Sequence, residues 1–253
     1  MIYVTGDCHG NWSKFSSKHF PERKGLTRDD YVLVCGDFGI WHDTHEERYW
    51  LNWLAEKPFT VCFVDGNHEN FDRLNSGEFP EIDFHGGRAH KIRENIYHLM
   101  RGYVFELSGK KIFAFGGARS HDISDGILDE KDYPSVKAMI EDYRRRCAHG
   151  EMVRVNHLSW WAEEMPSEEE MERGRSNLAV HNNKVDFIIS HCGPTSVVPV
   201  LAYGCYDHDE LNQYFESIKK STDFEHWYFG HYHDDTSAFS KFVLLYDDIV
   251  RIA

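Results

Sequence analysis

One pattern constrains the fold more than any other, and it occurs five times along the chain. A short apolar run ends at a glycine or serine, and aspartate, asparagine or histidine follows at once. Apolar runs of this length, bounded by glycine, are typical of buried β-strands. The five junctions are Gly6-Asp7-Cys8-His9-Gly10, Gly36-Asp37, Gly66-Asn67-His68-Glu69, Ser190-His191 and Gly230-His231-Tyr232-His233. Five strands that deliver such side chains to one rim predict a functional site.

The first junction shows why these residue types suit a metal. Asp7 and His9 are two positions apart, so their side chains point the same way in extended chain. The flanking glycines allow a sharp turn and the close approach of a ligand. Alone, the junction also fits a polar turn with an incidental histidine, but the four repeats favour a site. Oxygen and imidazole ligands suit divalent Mn, Fe, Zn or Ni, and there are enough of them for two ions.

The ordered set GDCHG, GDFG, GNHE, SHCGP and GHYH resembles the calcineurin-like metallophosphoesterases, and it covers most of the chain. The resemblance implies two divalent ions, with Mn as the first choice and Fe, Zn, Ni or Mg as alternatives. Asp37 would bridge them. The implied ligands of one ion are Asp7, His9, Asp37 and His233, and those of the other are Asp37, Asn67, His191 and His231. It also implies two packed mixed β-sheets flanked by helices in four layers, whereas periodicity alone supports only an α/β class.

The chemistry of phosphate esters explains such a site. The anionic oxygens of the ester repel nucleophiles, and two cations roughly 3.5–4 Å apart neutralise that charge and lower the pKa of a bridging water. Attack by the resulting hydroxide leaves an alkoxide that needs a proton. His68 directly follows the ligand Asn67, and an imidazole suits the role of general acid. The alternative for His68 is a structural histidine beside the ligands.

Several further side chains are candidates for binding substrate, together with the ligand Asn67. Arg119 follows a glycine-flanked strand end, and a guanidinium can hold two phosphate oxygens at once. The alternative is a solvated loop arginine. His121 lies on the same loop. Trp160 and Trp161 would form an aromatic wall for a base or aryl group, or else pack residues 121–182 onto the rest of the protein.

Departures from the best-known branch of the family narrow the expected activity. Serine/threonine protein phosphatases carry GDxxDRG, where this chain has Ile40 and Trp41, and an arginine soon after GNHE, where it has Asn70 and Phe71. The chain therefore looks like a bacterial or phage-type enzyme for small phosphate esters or nucleotides. The alternatives are a phosphoprotein phosphatase and a metal-binding interaction module without turnover. The complete ligand set counts against the interaction module.

Length and composition set broader limits. We expect one domain over residues 1–253, with a helical insertion at about 121–182. Hydrophobic residues at 41% and aromatic residues at 15% predict a globular fold. No apolar run reaches the roughly 18 residues of a membrane span, and core residues follow Met1 directly, so we expect a cytoplasmic protein. The formal charge of −14 disfavours long duplex nucleic acid as a partner. The oligomeric state is left open.

The coarse secondary structure alternates strands and helices. Helices are predicted over 44–54, 71–74, 132–148, 167–180 and 207–215, the first and fourth opened by capping boxes. Strands at 97–99, 103–107 and 111–115 suggest a meander, and the run 242–252 suggests a closing hairpin with Asp247-Asp248 as its turn.

Overall fold

Two large mixed β-sheets carry the fold in the computed structural model, which describes residues 1–202 and 208–253. Sheet A contains, in spatial order, β15 (Ile249–Arg251), β1 (Ile2–Thr5), β2 (Tyr31–Val34), β3 (Thr60–Phe63), β6 (Ile96–Leu99), β5 (Gly87–Arg93) and β4 (Glu81–Phe84). Sheet B contains β13 (Thr236–Ala238), β14 (Phe242–Leu244), β12 (His226–Phe229), β11 (Phe187–Ser190), β8 (Lys110–Phe115) and β7 (Tyr103–Leu107). A separate parallel pair joins β9 (Gly126–Leu128) to β10 (Val153–Val155).

The helices begin where the sequence supplies caps. The α-helices are α1 (His45–Ala55), α2 (Phe71–Asn75), α3 (Val136–Ala148), α4 (Glu168–Val180), α5 (Val198–Leu201) and α6 (Glu210–Ser221). Short 3₁₀ helices are η1 (Trp12–Phe15), η2 (Pro21–Gly25), η3 (Glu130–Asp132) and η4 (Ala162–Glu164). Ser167 and Glu170 form the predicted capping box of α4. Thr44 caps α1, but the Glu47 side chain does not complete a box there, because it binds the loop before the helix. The predicted start of α6 at Asp207 lies outside the described residues.

Apolar residues from both sheets fill the space between them, including Val4 and Leu33 from sheet A and Ala114 and Ile189 from sheet B. The outer faces are covered by helices. Leu51 and Leu54 of α1 join the core on sheet A, and Leu178 of α4 and Phe215 of α6 join the core on sheet B. The resulting order of layers is helix, sheet, sheet, helix, which confirms the predicted fold class.

Two predicted local pairings are wrong. Only part of the predicted meander forms, because β7 and β8 pair antiparallel in sheet B whereas β6 belongs to sheet A. The predicted closing hairpin does not form either, because β14 lies in sheet B and β15 pairs with β1 in sheet A. All these strands bury residues in the same core between the sheets. Their alternation therefore predicts strands correctly but does not say which sheet each one joins.

Residues 121–182 contain α3 and α4, as predicted, but also the β9–β10 pair, which the helical pattern gave no reason to expect. Among the residues that the structure describes, no helix combines the length and apolar character needed to span a bilayer.

Candidate metal centre

Strand order brings the predicted ligands together. In sheet A, β1, β2 and β3 are parallel neighbours, so Asp7, Asp37 and Asn67, which follow them, reach the same edge. In sheet B, β11 and β12 are also parallel neighbours and carry His191 and the segment from His231 to His233. The two sets of carboxyl-terminal strand ends face each other. The candidate site therefore lies at the edge where the two sheets meet.

Asp37 lies between two groups of donor atoms. Its Oδ2 is 3.7 Å from Nδ1 of His9, and its Oδ1 is 3.3 Å from Nε2 of His191. Ligand atoms of Asp7, Asp37 and His191 all lie within 4.8 Å of one another, and so do those of Asp7, His9 and His233. The two oxygens of one buried carboxylate thus face different groups of ligands, which is the arrangement that a bridging ligand needs.

The group around His9 is an open cluster of nitrogen and oxygen atoms. Nε2 of His9 is 3.1 Å from Nε2 of His233, and Nε2 of His233 is 3.2 Å from Oδ2 of Asp7. His9 and His233 are both exposed, whereas Asp7 is buried. Convergent imidazole nitrogens beside a carboxylate form a donor set that suits a divalent transition metal.

The group around His191 is fully enclosed. Nδ1 of His191 lies 2.7 Å from the carbonyl oxygen of Cys35, which can only accept a hydrogen bond. Nδ1 therefore carries a ring proton, and Nε2 is the nitrogen that faces the other candidate ligands. This Nε2 is 3.2 Å from Oδ1 of Asn67. The ring of His231 packs 4.9 Å from the ring of His191, and its backbone N–H donates to Asp7. His231 belongs to neither close group, so its ligand role stays a prediction.

The electrostatics of the cluster fit the binding of cations. Asp7 and Asp37 are 2% and 1% exposed, and burying two neighbouring carboxylates is costly unless positive charge compensates them. Burial by itself would lower the pKa of His191, but Asp37 and Asp7 raise it to about 10. The protein alone thus draws a proton onto His191 to balance the carboxylates. Divalent ions would supply that charge, so the residues present fit a metal centre.

The backbone at the junctions is shaped for this purpose. His9, Asp37, His231 and His233 all have positive φ angles, of 48°, 45°, 72° and 50°. Such conformations are uncommon for residues with a side chain and concentrate at functional sites. Gly66 has a different role, because a Cβ added there would overlap Oδ1 of Asp37. The glycine of the third junction therefore leaves room for the candidate bridging carboxylate.

A buried glutamate fixes the loop after Asp37. The carboxylate of Glu69 accepts hydrogen bonds from the backbone N–H groups of Phe38, Gly39 and Ile40, at 2.6–3.2 Å. Glu69 is completely buried, so these bonds are shielded from water. Three successive N–H groups on one carboxylate hold the loop rigidly beside the candidate ligands.

Ser120 and Glu164 orient Asn67. Nδ2 of Asn67 donates to Oγ of Ser120 at 3.3 Å, and this hydroxyl donates to Oε2 of Glu164 at 2.6 Å. The backbone N–H of Ser120 donates to Oε1 of the same carboxylate. Burial raises the pKa of Glu164 to about 7, although the hydrogen bonds from Ser120 oppose this shift. The chain of contacts turns the carbonyl oxygen of Asn67 towards His191.

Arg101 anchors the segment that carries Glu164. Its guanidinium donates to Oδ2 of Asp65 at 2.9 Å through Nε, and to the carbonyl oxygen of Glu163 at 2.8 Å. Asp65 comes two residues after the end of β3 and two residues before Asn67. Both Arg101 and Asp65 are buried. The ion pair between Arg101 and Asp65 therefore connects the strand end before Asn67 to the segment that carries Glu164.

The predicted substrate-binding residues lie on different sides of the cluster. Arg119 and His121 are exposed and line a cavity of about 600 Å³ that also contacts His231, and the ring of His121 is 4.6 Å from the ring of His231. Trp161 is completely buried, and its Nε1 donates to Asp72 at 2.7 Å. Of the two alternatives for the tryptophan pair, packing therefore describes Trp161. Trp160 is half-buried.

His68 faces a second cavity that the sequence analysis did not anticipate. This cavity has a volume of about 630 Å³ and is lined by His9, His68, Trp41 and Trp50, among others. Burial lowers the pKa of His68, Asp37 opposes that shift, and the neighbouring His9 and Arg154 add to it. Arg154, on β10, is thus a guanidinium near His68. No local pattern singles it out.

Two mixed sheets thus bring histidine, carboxylate and amide side chains together where they meet. The chain belongs to the calcineurin-like phosphoesterase family, whose model matches residues 1–235. Family membership confirms the resemblance and implies catalysis with divalent metal ions.

Individual relatives are distant. The chain is 27% identical, over 181 residues, to lariat debranching enzyme A of Xenopus laevis; the match covers 65% of this chain. It spans only 31% of the length of that relative. The crystal structure of a phosphopantetheinyl hydrolase from Mycobacterium tuberculosis shares 16% identity at a TM-score of 0.42, covering 97% of this chain and 89% of that chain.

We predict that Gly66→Ala weakens metal binding by about 100-fold or more, because the new methyl group displaces the Asp37 carboxylate; this exceeds the usual effect of residues behind the ligands. The measurement is metal affinity, titrated against a competing chelator. Gly25→Ala is the matched control, since an added Cβ there meets no atom within 4 Å. Equal affinity in the two variants would contradict the placement of Asp37.

A second prediction concerns the hydrogen bonds from Asn67 to Ser120 and from Ser120 to Glu164. Ser120→Ala removes the partner of the Asn67 amide and should lower metal affinity by about 10- to 100-fold while the fold is kept. The same chelator titration measures the loss, and circular dichroism checks the fold. Ser237→Ala, at an exposed serine of β13, is the control. Unchanged affinity in Ser120→Ala would show that Asn67 needs no such support.

Proposed function

We propose that the protein is a dinuclear metal-dependent phosphoesterase that hydrolyses phosphate mono- or diesters of small molecules or nucleotides. The observation that carries this proposal is the position of Asp37. One of its carboxylate oxygens faces His191 and the other faces His9, at 3.3 and 3.7 Å. A single carboxylate shared in this way supports a site for two ions rather than one.

The proposed ligands divide into two sets that share Asp37. Asp7, His9 and His233 would complete one set, and Asn67, His191 and His231 the other. When bound, divalent ions neutralise the phosphate oxygens, orient the ester and make water a better nucleophile. Asn67 is a neutral ligand, so it adds no further negative charge where the phosphate must bind.

The proposed general acid is His68. Its backbone N–H donates to Oδ1 of Asp37 at 2.8 Å, which fixes the position of His68 relative to the ligands. The ring lies 5.3 Å from the ring of His9 and lines the open cavity. An imidazole there is able to deliver a proton to the oxygen that leaves when the phosphate ester is cleaved.

Small esters suit this chain better than polynucleotides. The amphibian relative is a lariat debranching enzyme, but the aligned region covers under a third of that protein. The formal charge of −14 provides little of the basic surface that holds a nucleic-acid backbone. We therefore do not extend debranching to this chain. Arg119 and His121, beside His231, are proposed to bind the substrate.

Asp37→Asn tests the proposal directly. The wild-type protein should hold about two divalent ions per chain and should hydrolyse a generic aryl phosphate. The variant should lose the bridging charge and reduce kcat by at least about 1,000-fold, because metal-ion catalysis accounts for several kcal/mol of the barrier.

Elemental analysis and a turnover assay with Mn, Ni, Mg and Zn provide the two readouts. Asp29→Asn, at an exposed position, is the control. A wild-type protein that binds metal but turns over no ester, in a screen of monoesters, diesters and nucleotides, would instead be an interaction module.

His68→Asn tests the proton donor. General-acid assistance contributes typically 10²–10⁴-fold and matters most when the leaving alkoxide is strongly basic. An alkyl phosphate should therefore lose far more kcat/KM than a nitrophenyl phosphate, while metal content stays near wild type. The measurement is kcat/KM across esters of graded leaving-group pKa. An equal loss across the series would leave His68 with a positioning or electrostatic role only.

A further inference from the structure

We infer that the cavity beside His68 binds a planar aromatic or heteroaromatic ring of the leaving group, so that the substrate is the phosphate ester of an aryl alcohol or a nucleoside. This inference rests on the proposed function, because it takes His68 as the end of the cavity nearest the reacting phosphate. The cavity measures about 630 Å³, which is within the usual range for small-molecule sites.

Two indole rings line the cavity. Trp41 and Trp50 are both half-buried, and each packs partly against the core on sheet A. The centroid of the Trp41 ring is 6.1 Å from the centroid of the His68 ring. A ring joined to the leaving oxygen near His68 would therefore reach Trp41 at once. Partly exposed indole surface in a concave site gains stability when a flat apolar group covers it.

Trp41 is held in place before any ligand arrives. Its backbone N–H donates to Oε2 of Glu47 at 2.9 Å, and its carbonyl oxygen accepts from Nδ2 of Asn70 at 2.8 Å. The buried ring of Trp161 packs against its indole with centroids 5.3 Å apart. The preceding loop is fixed by Glu69. A wall that is already ordered loses little entropy on binding, which favours affinity.

Trp50 is held less rigidly. It lies on α1, and its ring packs edge-on against Trp53 at 5.3 Å and against Tyr49 at 5.6 Å. The N-terminal cap of α1 fixes the start of this helix on the cavity rim, since Thr44 also lines the cavity. The loop after Asp37 and the first turns of α1 therefore supply two separate aromatic surfaces to one space.

Charge defines the rest of the ligand. Glu46 and Glu47 line the cavity, and the described residues around it include no lysine or arginine. Glu47 is already paired with Arg73 at 2.6 Å, whereas Glu46 is exposed. Additional phosphates on the leaving group would lie near the exposed carboxylate of Glu46, and the described lining has no lysine or arginine to pair with them. The lining therefore favours a ring on an uncharged or cationic leaving group over a nucleoside polyphosphate.

Binding of phosphonates to the manganese-loaded protein tests the inference without requiring turnover. Calorimetry compares benzylphosphonate with butylphosphonate, which have the same reacting head but differ in the ring. Stacking on an aromatic side chain is worth enough for a preference of about tenfold or more for the benzyl compound. Trp50→Leu and Trp41→Leu should each remove most of this preference, because leucine keeps apolar volume but has no ring.

Phe239→Leu is the matched control, since it also removes an aromatic ring but this residue is exposed and does not line the cavity. It should keep the full preference. Trp50 is partly exposed, so its variant gives an answer even if Trp41→Leu fails to fold. A second pair of ligands, adenosine 5′-phosphate and ribose 5-phosphate, distinguishes a nucleoside from a simple aryl group. If adenosine 5′-phosphate binds more tightly than ribose 5-phosphate, and if Trp50→Leu removes this preference, the cavity binds a nucleoside.

The outcomes distinguish the aromatic site from the proposed catalytic function. If both phosphonates bind equally, or if the preference for the ring persists in both Trp41→Leu and Trp50→Leu, the inference is wrong while ester hydrolysis by the wild type still supports the proposed function. If the preference for the ring is present and sensitive to both tryptophans but no ester is hydrolysed, the aromatic site stands and the proposed function fails.

Discussion

The proximity of two buried carboxylates, Asp7 and Asp37, is the constraint on which the rest of the structure depends. Both are almost inaccessible to water, and together they raise the pKa of the neighbouring His191. Such an arrangement is unfavourable in a folded chain unless other interactions hold it. The two packed sheets provide that support, because each carboxylate follows a fully buried strand whose position is fixed by its neighbours in the sheet.

Further buried carboxylates then hold the loops around this cluster. Glu69 binds the loop after Asp37, Glu164 holds Ser120 against Asn67, and Asp65 anchors Arg101. Each accepts two or more hydrogen bonds, so burial does not leave it unsatisfied. Part of the strongly acidic composition is therefore structural. These acids face inwards, hold backbone and side-chain donors, and keep the candidate site ordered.

The sequence predicts which side chains gather at the candidate site, because each is defined locally, by a strand and the residues directly after it. The cap at Ser167 is local in the same sense. Contacts between distant segments are beyond such reasoning. Ser120 and Glu164 are 44 residues apart, and the sequence around either residue does not predict their contact. The apolar pattern that predicts strands β6 and β7 likewise does not predict which sheet each strand joins. The position of Trp41 in the cavity wall depends on the shape of the cavity, which cannot be predicted from sequence periodicity.

The division of the ligands between the sheets has a thermodynamic consequence. Sheet A carries Asp7, Asp37 and Asn67, whereas sheet B carries His191 and His231, so an ion held by both sets would cross-link the two halves of the sandwich. An ion that binds only the folded chain stabilises it by about 2.7 kcal/mol when its free concentration is 100 times the Kd. Binding of this kind would couple the folding equilibrium of the protein to the metal supply of its surroundings, so that scarcity of metal would lower its stability.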